Sequence, residues 1–206
     1  MFYFVKTPWW LKRLYGNRTW NFSSSKKIIY LTFDDGPHDT ATTFVLDELK
    51  KFNAKATFFC IGKNVAAYPG IYERILAEGH RTGNHTHNHL NGKKTDDKTY
   101  FNNILEAAKY IDSDLFRPPY GRMTEFQSDN LIRSLHYKVI MWDVLSADFD
   151  PDISSEKCLR NVTRNAGPGS IVIFHDSEKA MERMSYALPK VLNYFTEKGY
   201  LFQAIA

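Results

Sequence analysis

The stretch Ile28-Ile29-Tyr30-Leu31-Thr32-Phe33-Asp34-Asp35-Gly36-Pro37-His38 (IIYLTFDDGPH) runs an apolar, β-branched and aromatic segment straight into a carboxylate pair and a turn. The first six residues read as a strand, and Asp-Asp-Gly-Pro as the bend that ends it. The segments beyond this bend decide the fold class. A helical apolar period over 42–52 is succeeded by a strand-like run at 56–61 and a helix over 71–78. The same beat continues through a strand at 80–84, a helix at 100–111, a short strand at 115–117, a helix at 124–136 and a strand at 137–142. A helix at 154–165, a strand at 170–174, a helix at 184–197 and a last strand from Tyr200 complete the pattern. Seven strands alternating with helices call for parallel pairing through helical crossovers, an α/β fold.

An open doubly wound sheet and a closed or nearly closed barrel both satisfy that alternation, and the placement of polar clusters separates them. FDDGPH (33–38) follows the first strand, GNHTHNH (83–89) closes the third, RPPYG (117–121) follows the fourth, WDVLSADFD (142–150) the fifth and FHDS (174–177) the sixth. An open sheet collects its ligands at one switch point, whereas a barrel collects side chains from many strands at its C-terminal mouth. Contributions from five strands fit the barrel.

Bulk composition narrows the class. The 206 residues are 43% hydrophobic and 24% charged, as in a soluble globular protein, and no apolar run reaches the roughly 20 residues that span a bilayer. The formal charge of +4 is dispersed along the chain, which argues against nucleic acid as a partner. Cys60 and Cys158 are far apart and Cys60 sits in an apolar run, so a disulfide framework is not expected. Internal repeats and glycine-rich phosphate loops are absent. Residues 1–26 form an arm before the main domain at 27–206; its first twenty residues hold three of the four tryptophans among Lys6, Lys12, Arg13 and Arg18. The arm lacks the pattern of a secretory leader, which points to the cytoplasm. It reads either as a segment packed over a barrel or sheet end, or as a peripheral contact with the membrane interface.

The polar clusters carry the candidate chemistry. Adjacent residues leaving a strand point in different directions, so of Asp34 and Asp35 one can hold a metal while the other stays free as a base; alone, the pair could equally be a solvated turn. In GNHTHNH, an extended strand would put His85, His87 and His89 on one face, whereas a helical turn would bring only His85 and His89 together, at i and i+4. Gly79 ends the preceding helix and Thr86 can cap a turn running into Asn88-His89, so we expect the helical turn, with His87 directed elsewhere. Two neutral imidazoles and one carboxylate leave a coordination position for water, the pattern of catalytic zinc. Arg117 is a fixed cation before a proline-set turn; beside a free carboxylate it would orient that group and lower its pKa, and otherwise it would face solvent. His175 ends an apolar strand and Asp148 ends the segment before it, so the two form either a carboxylate-held proton donor or a structural pair.

Taken together, TFDDGP, NHTHNH, RPPYG, WDVLSADF and IFHD resemble, in order, the five motifs of the NodB-homology polysaccharide deacetylases, carbohydrate esterase family four, from about Lys27 to the C-terminus. The resemblance implies a distorted, incomplete (β/α) barrel of about seven parallel strands. It implies Asp34 as catalytic base, with Asp35, His85 and His89 holding a divalent metal, zinc above all, although cobalt or nickel can occupy such a site. Arg117 would orient Asp34, the backbone amide of Tyr120 would bind an oxyanion, and His175 would be the acid, tuned by Asp148. In such a reaction Trp142 and Ile173 either wall a small apolar pocket for the acetyl methyl or serve as plain core residues. The implied partner is an acetylated amino-sugar oligo- or polysaccharide, such as chitooligosaccharide or peptidoglycan, which would place the substrate in the cell envelope. Phe149 stands where the fourth motif usually has tryptophan, a change that bears on the shape of the acyl pocket. An O-acetyl esterase or a small-molecule amidohydrolase would use the same residues, and a carbohydrate-binding module without turnover is the alternative of a different class.

Overall fold

The computed structural model describes residues 3–23 and 25–206; Met1, Phe2 and Ser24, all within the expected arm, lie outside the described residues. The chain opens with α1 (Trp9–Leu14), then runs β1 (Ile28–Asp34), α2 (Ala41–Lys51), β2 (Thr57–Cys60), α3 (Gly62–Ala67), α4 (Pro69–Ala77) and β3 (Arg81–Asn84). It continues through α5 (Asp97–Ala108), β4 (Leu115–Phe116), α6 (Glu125–Arg133), β5 (Lys138–Val139), β6 (Val144–Leu145), α7 (Ser155–Thr163), β7 (Ile171–His175), α8 (Met181–Glu197) and β8 (Leu201–Phe202). Seven strands follow one path, β5-β4-β3-β2-β1-β7-β6, every pairing in it parallel, and β8 pairs in parallel with the start of β1. The result is an α/β incomplete barrel with β5 and β6 at its two free edges.

Period-two alternation along the central strands sets the two faces. Ile29, Leu31 and Phe33 of β1, Phe58 and Cys60 of β2, and Val172 and Phe174 of β7 pack into one core with α2 and α8, through Val45, Leu49, Leu188 and Val191. Phe33 stacks on Phe58 and Phe174, with centroids 5.1 and 6.1 Å away. Such a fully buried ring contributes about 2–3 kcal/mol. The alternate residues, Tyr30, Thr32 and Asp34 on β1 and Ile171, Ile173 and His175 on β7, therefore face the barrel interior. Tyr30 and Ile171 meet Phe59 and Leu115 there. Both Asp34 and His175 come last on their strands, so the alternation that builds the core also delivers them to the mouth.

The arm lies along the open side of the barrel, between the two free edges. Leu145 N–H donates to Val5 C=O at 2.8 Å and Thr7 N–H to Asp143 C=O at 2.8 Å, tying one end of the arm to β6. At the other end, Thr19 N–H donates to Val139 C=O and Met141 N–H to Thr19 C=O, at 2.9 and 2.7 Å. Lys6 and Lys12 both reach Asp143, whose carboxyl they and Ser170 hold below the usual range against the effect of its burial. Trp20 is buried, whereas Trp9 and Trp10 of α1 are 73% and 49% exposed. Among the described residues no helix is long and apolar enough to cross a membrane. Cys60 and Cys158 are free, buried thiols, as expected.

Helices α1 and α3 form where no helix was expected, and two strands also depart from the expected pattern. Of the run 137–142 only Lys138–Val139 pairs as strand, because the next two carbonyls, of Ile140 and Met141, accept instead from the guanidinium of Arg117. The missing length reappears as β6, two residues within a segment we read as a polar cluster.

Candidate metal centre and active site

Arg117 follows β4 and is fully buried, an expensive position for a guanidinium unless every donor is used. Its Nη1 donates to Asp34 Oδ1 and to Thr32 Oγ1, both at 2.7 Å; Nε donates to Ile140 C=O at 3.1 Å and Nη2 to Met141 C=O at 2.9 Å. The cation also lies 4.0 Å from the centroid of the Phe59 ring. Asp34, 3% exposed, is thereby fixed at the end of β1 with Oδ2 left over.

Oδ2 of Asp34 lies 3.8 Å from His85 Nε2, which is 3.7 Å from Asp35 Oδ1; His89 Nε2 is 3.2 Å from the same Asp35 oxygen. One donor atom each from Asp35, His85 and His89 falls within 4.8 Å of the others. His85 Nδ1 sits 2.7 Å from Arg117 C=O, which can only accept, so Nδ1 carries the hydrogen and Nε2 turns its lone pair to the cluster. Burial holds His85 down at about 4, so the ring is neutral. Although burial pushes Asp35 up, the imidazoles of His89, His175 and His85 hold it well below the usual carboxylate range. Among the described residues its buried Oδ1 finds no hydrogen-bond partner of good geometry. An orphaned carboxylate oxygen facing two imidazole nitrogens is the composition of a three-donor cation site, so the residues present fit a divalent metal.

On the neighbouring strand, His175 lies across the ladder from Asp34. Asp148, fully buried, accepts from His175 N–H through Oδ2 at 2.7 Å and pairs with Nδ1 through Oδ1 at 2.8 Å, leaving Nε2 of the ring free of Asp148. Burial opposes charge on this ring, but Asp148, Asp35 and Asp34 raise it to about 9. Phe149 stands edge-on to His175 at 5.1 Å. Ile173, 2% exposed, packs with Leu145 and Ala147, and Trp142 and Phe149 border that cluster. Tyr120 is 60% exposed, with φ of 60° in the left-handed region, and its hydroxyl lies 3.2 Å from His89 Nδ1. Gly121 follows with φ of 64°, and a methyl group there would meet Trp142 at 2.6 Å.

The family model described as polysaccharide deacetylase matches residues 22–140, more than half of the chain. This chain belongs to the polysaccharide deacetylase family. It is 35% identical over 200 residues to a peptidoglycan-N-acetylglucosamine deacetylase of Bacillus cereus, an alignment covering 93% of this chain and 92% of that protein. With the PgdA peptidoglycan-N-acetylglucosamine deacetylase of Listeria monocytogenes it shares 33% identity, over 89% of this chain but 39% of the longer relative. The crystal structure of the Bc1960 peptidoglycan N-acetylglucosamine deacetylase, bound to 4-naphthalen-1-yl-N-oxidanyl-benzamide, superposes with a TM-score of 0.88 at 31% identity, covering 97% of this chain and 95% of that one.

In this polysaccharide deacetylase the five sequence clusters converge on one mouth, and His85 and His89 do meet, with ring centroids 5.1 Å apart. The expected helical turn is not what joins them. Residues 85–89 form a bent loop in which Thr86 and His89 take φ of 63° and 57°. Thr86 Oγ1 accepts from Leu90 N–H, while Asn103 Oδ1 accepts from the amides of His87 and Asn88 and so fixes the bend. His87 points away, stacked on Tyr110 at 5.7 Å. The sequence reading missed three contributors. The Tyr120 hydroxyl against His89 was hidden behind its backbone amide; Asn64, on α3, carried no motif; and Asp176, inside the FHDS cluster, was passed over for His175. Asp176 is 1% exposed, and burial pushes its carboxyl up to about 8.

Proposed function

We propose that the chain is a metal-dependent hydrolase that removes N-acetyl groups from N-acetylglucosamine residues of a peptidoglycan-type glycan. One observation carries this reading: the cation donors, an arginine-pinned carboxylate and a carboxylate-held imidazole open onto a single mouth. The B. cereus relative, aligned almost end to end, supplies the substrate class. Binding alone would require neither the buried Arg117–Asp34 pair nor the Asp148–His175 pair.

In this mechanism Asp35, His85 and His89 would hold a divalent ion, zinc by preference, and that ion would supply Lewis acidity toward water and the acetyl carbonyl. Asp34 accepts the proton of the attacking water, its free Oδ2 aimed at the donor cluster while Arg117 fixes Oδ1. The Tyr120 amide stabilises the developing oxyanion, a type of contact worth roughly 3 kcal/mol of barrier. His175, protonated at neutral pH, gives its proton to the departing nitrogen while Asp148 holds the ring in place. Ile173 and Trp142 line the space for the acetyl methyl, with Phe149 shaping its rim.

The test is acetate release from N-acetylglucosamine oligomers, peptidoglycan and acetylxylan by the zinc-loaded chain, with and without chelator, beside Asp34→Asn. Chelator-sensitive release from the amino-sugar substrates, reduced at least about 100-fold in Asp34→Asn, is expected. Release from acetylxylan alone would make it an O-acetyl esterase, and release from none would leave a small-molecule amidohydrolase or a binding module, which a screen of small amides separates.

A further inference from the structure

Asp35 is held at φ of 84°, in the left-handed region that is uncommon outside glycine and that aspartate tolerates better than most residues. The peptide groups on both sides of it are pinned by one residue. Asp176 N–H donates to Asp34 C=O at 3.0 Å, and Asp176 Oδ1 accepts from Gly36 N–H at 3.0 Å. A second side chain takes the carbonyl between: Asn64 Nδ2 donates to Asp35 C=O at 2.7 Å. Ile61 N–H donates to Gly36 C=O at 2.9 Å. The carboxyl of Asp176 is itself anchored, its Oδ2 2.5 Å from Thr42 Oγ1, which in turn accepts from His38 N–H at 2.8 Å. It fills the space over residue 36 so fully that a Cβ there would lie 2.0 Å from Oδ2. An acid buried to this depth is an expensive way to fill space, unless its hydrogen bonds matter.

We propose that Asp176 and Asn64 are positioning residues that clamp Asp35 in its strained conformation and so set the affinity of the Asp35–His85–His89 site for its cation. The inference rests on the metal reading above but not on the choice of substrate. Neither residue is seen to hydrogen-bond to the cation donors; both hold Asp35 through hydrogen bonds to its flanking peptide groups.

The readout is cobalt affinity by chelator competition on metal-free protein, with circular dichroism and thermal melting recorded alongside. Asp176→Ala removes the acceptor for Gly36 N–H and is expected to weaken cobalt binding about 10- to 100-fold, the range for groups that orient a ligand. Asp176→Asn keeps an acceptor for Gly36 and a partner for Thr42, and should bind within about threefold of wild type, a rescue that simple packing loss would not give. Asn64 is half-buried on a short helix, so Asn64→Ala carries the same test even if Asp176→Ala does not fold; about tenfold weaker binding is expected. A folded Asp176→Ala or Asn64→Ala protein with wild-type cobalt affinity overturns the clamp. A wild-type chain that takes up no cobalt overturns the metal reading and the clamp together. Cobalt uptake without acetate release overturns the proposed reaction only, and the variant affinities still decide the clamp.

Discussion

Replacing Arg117 with methionine isolates the energetics of the buried pair at the barrel mouth. Methionine keeps a flexible stem over Phe59 but removes four hydrogen bonds, to Asp34, Thr32, Ile140 and Met141. Asp34 is then left with 4% side-chain exposure and no guanidinium beside it, and breaking a buried pair from one side costs about 3–5 kcal/mol. The two freed carbonyls add about 1–3 kcal/mol each if they stay dry, so about 4 kcal/mol, the middle of the range for the pair alone, is a minimum. That is a large share of the roughly 5–15 kcal/mol that holds a domain together. For a domain of about 200 residues each kcal/mol moves Tm by about 2–4 °C, so the melt should fall by about 8–16 °C or more. Urea and thermal unfolding of metal-free protein measure it, and Asp34→Asn completes a double-mutant cycle in which we expect about 3 kcal/mol of coupling. Arg117→Lys should rescue little, since one ammonium cannot meet four acceptors spread around a planar fork. A melt within about 2 °C of wild type, or coupling below about 1 kcal/mol, would refute this account.

Other consequences are testable in the same preparations. His175 is raised from an ordinary 6.5 to about 9, so its pairing with Asp148 stabilises the fold fully below pH 6.5, and that contribution is lost as pH rises through 9. Metal-free protein should therefore lose stability between these values, and His175→Ala should flatten that part of the profile in pH-jump melts. His89→Ala removes one of three donors and leaves Asp35 Oδ1 without its nearest imidazole; zinc content after dialysis, measured by atomic absorption, should fall to background. Gly36→Ala drives a methyl group into Asp176 and should cost about 1–3 kcal/mol in urea unfolding.

Much of this protein was legible in the sequence alone because two signals agreed. Apolar runs at 28–33, 56–61 and 170–174 gave the strands, and the polar residues ending them gave the mouth; side-chain alternation converts one into the other. Thr124 and Gln127 form the capping box that starts α6 where the periodicity begins. What stayed hidden depended on contacts between distant segments. The loop of His85 and His89 is bent by Asn103, a residue on α5 with no local signature. The strand at 137–142 is cut short by an arginine some twenty residues earlier in the chain. Asp176 and Asn64 matter through the backbone of a third residue, and no spacing rule encodes that.

The arm laid between β5 and β6 has a consequence for how the chain assembles. Val5 and Thr7 find their partners at Leu145 and Asp143, and Thr19 finds its own at Val139 and Met141, so every one of these bonds bridges more than a hundred residues. The arm precedes every described strand, yet it cannot dock fully until β5 is in place and β7 has emerged to hold β6 in the sheet. Until then both rims of a growing parallel sheet lie bare to any passing chain, the circumstance in which edge strands recruit strangers. During synthesis, the interval before docking is when this protein is most exposed to misassociation, and docking ends it.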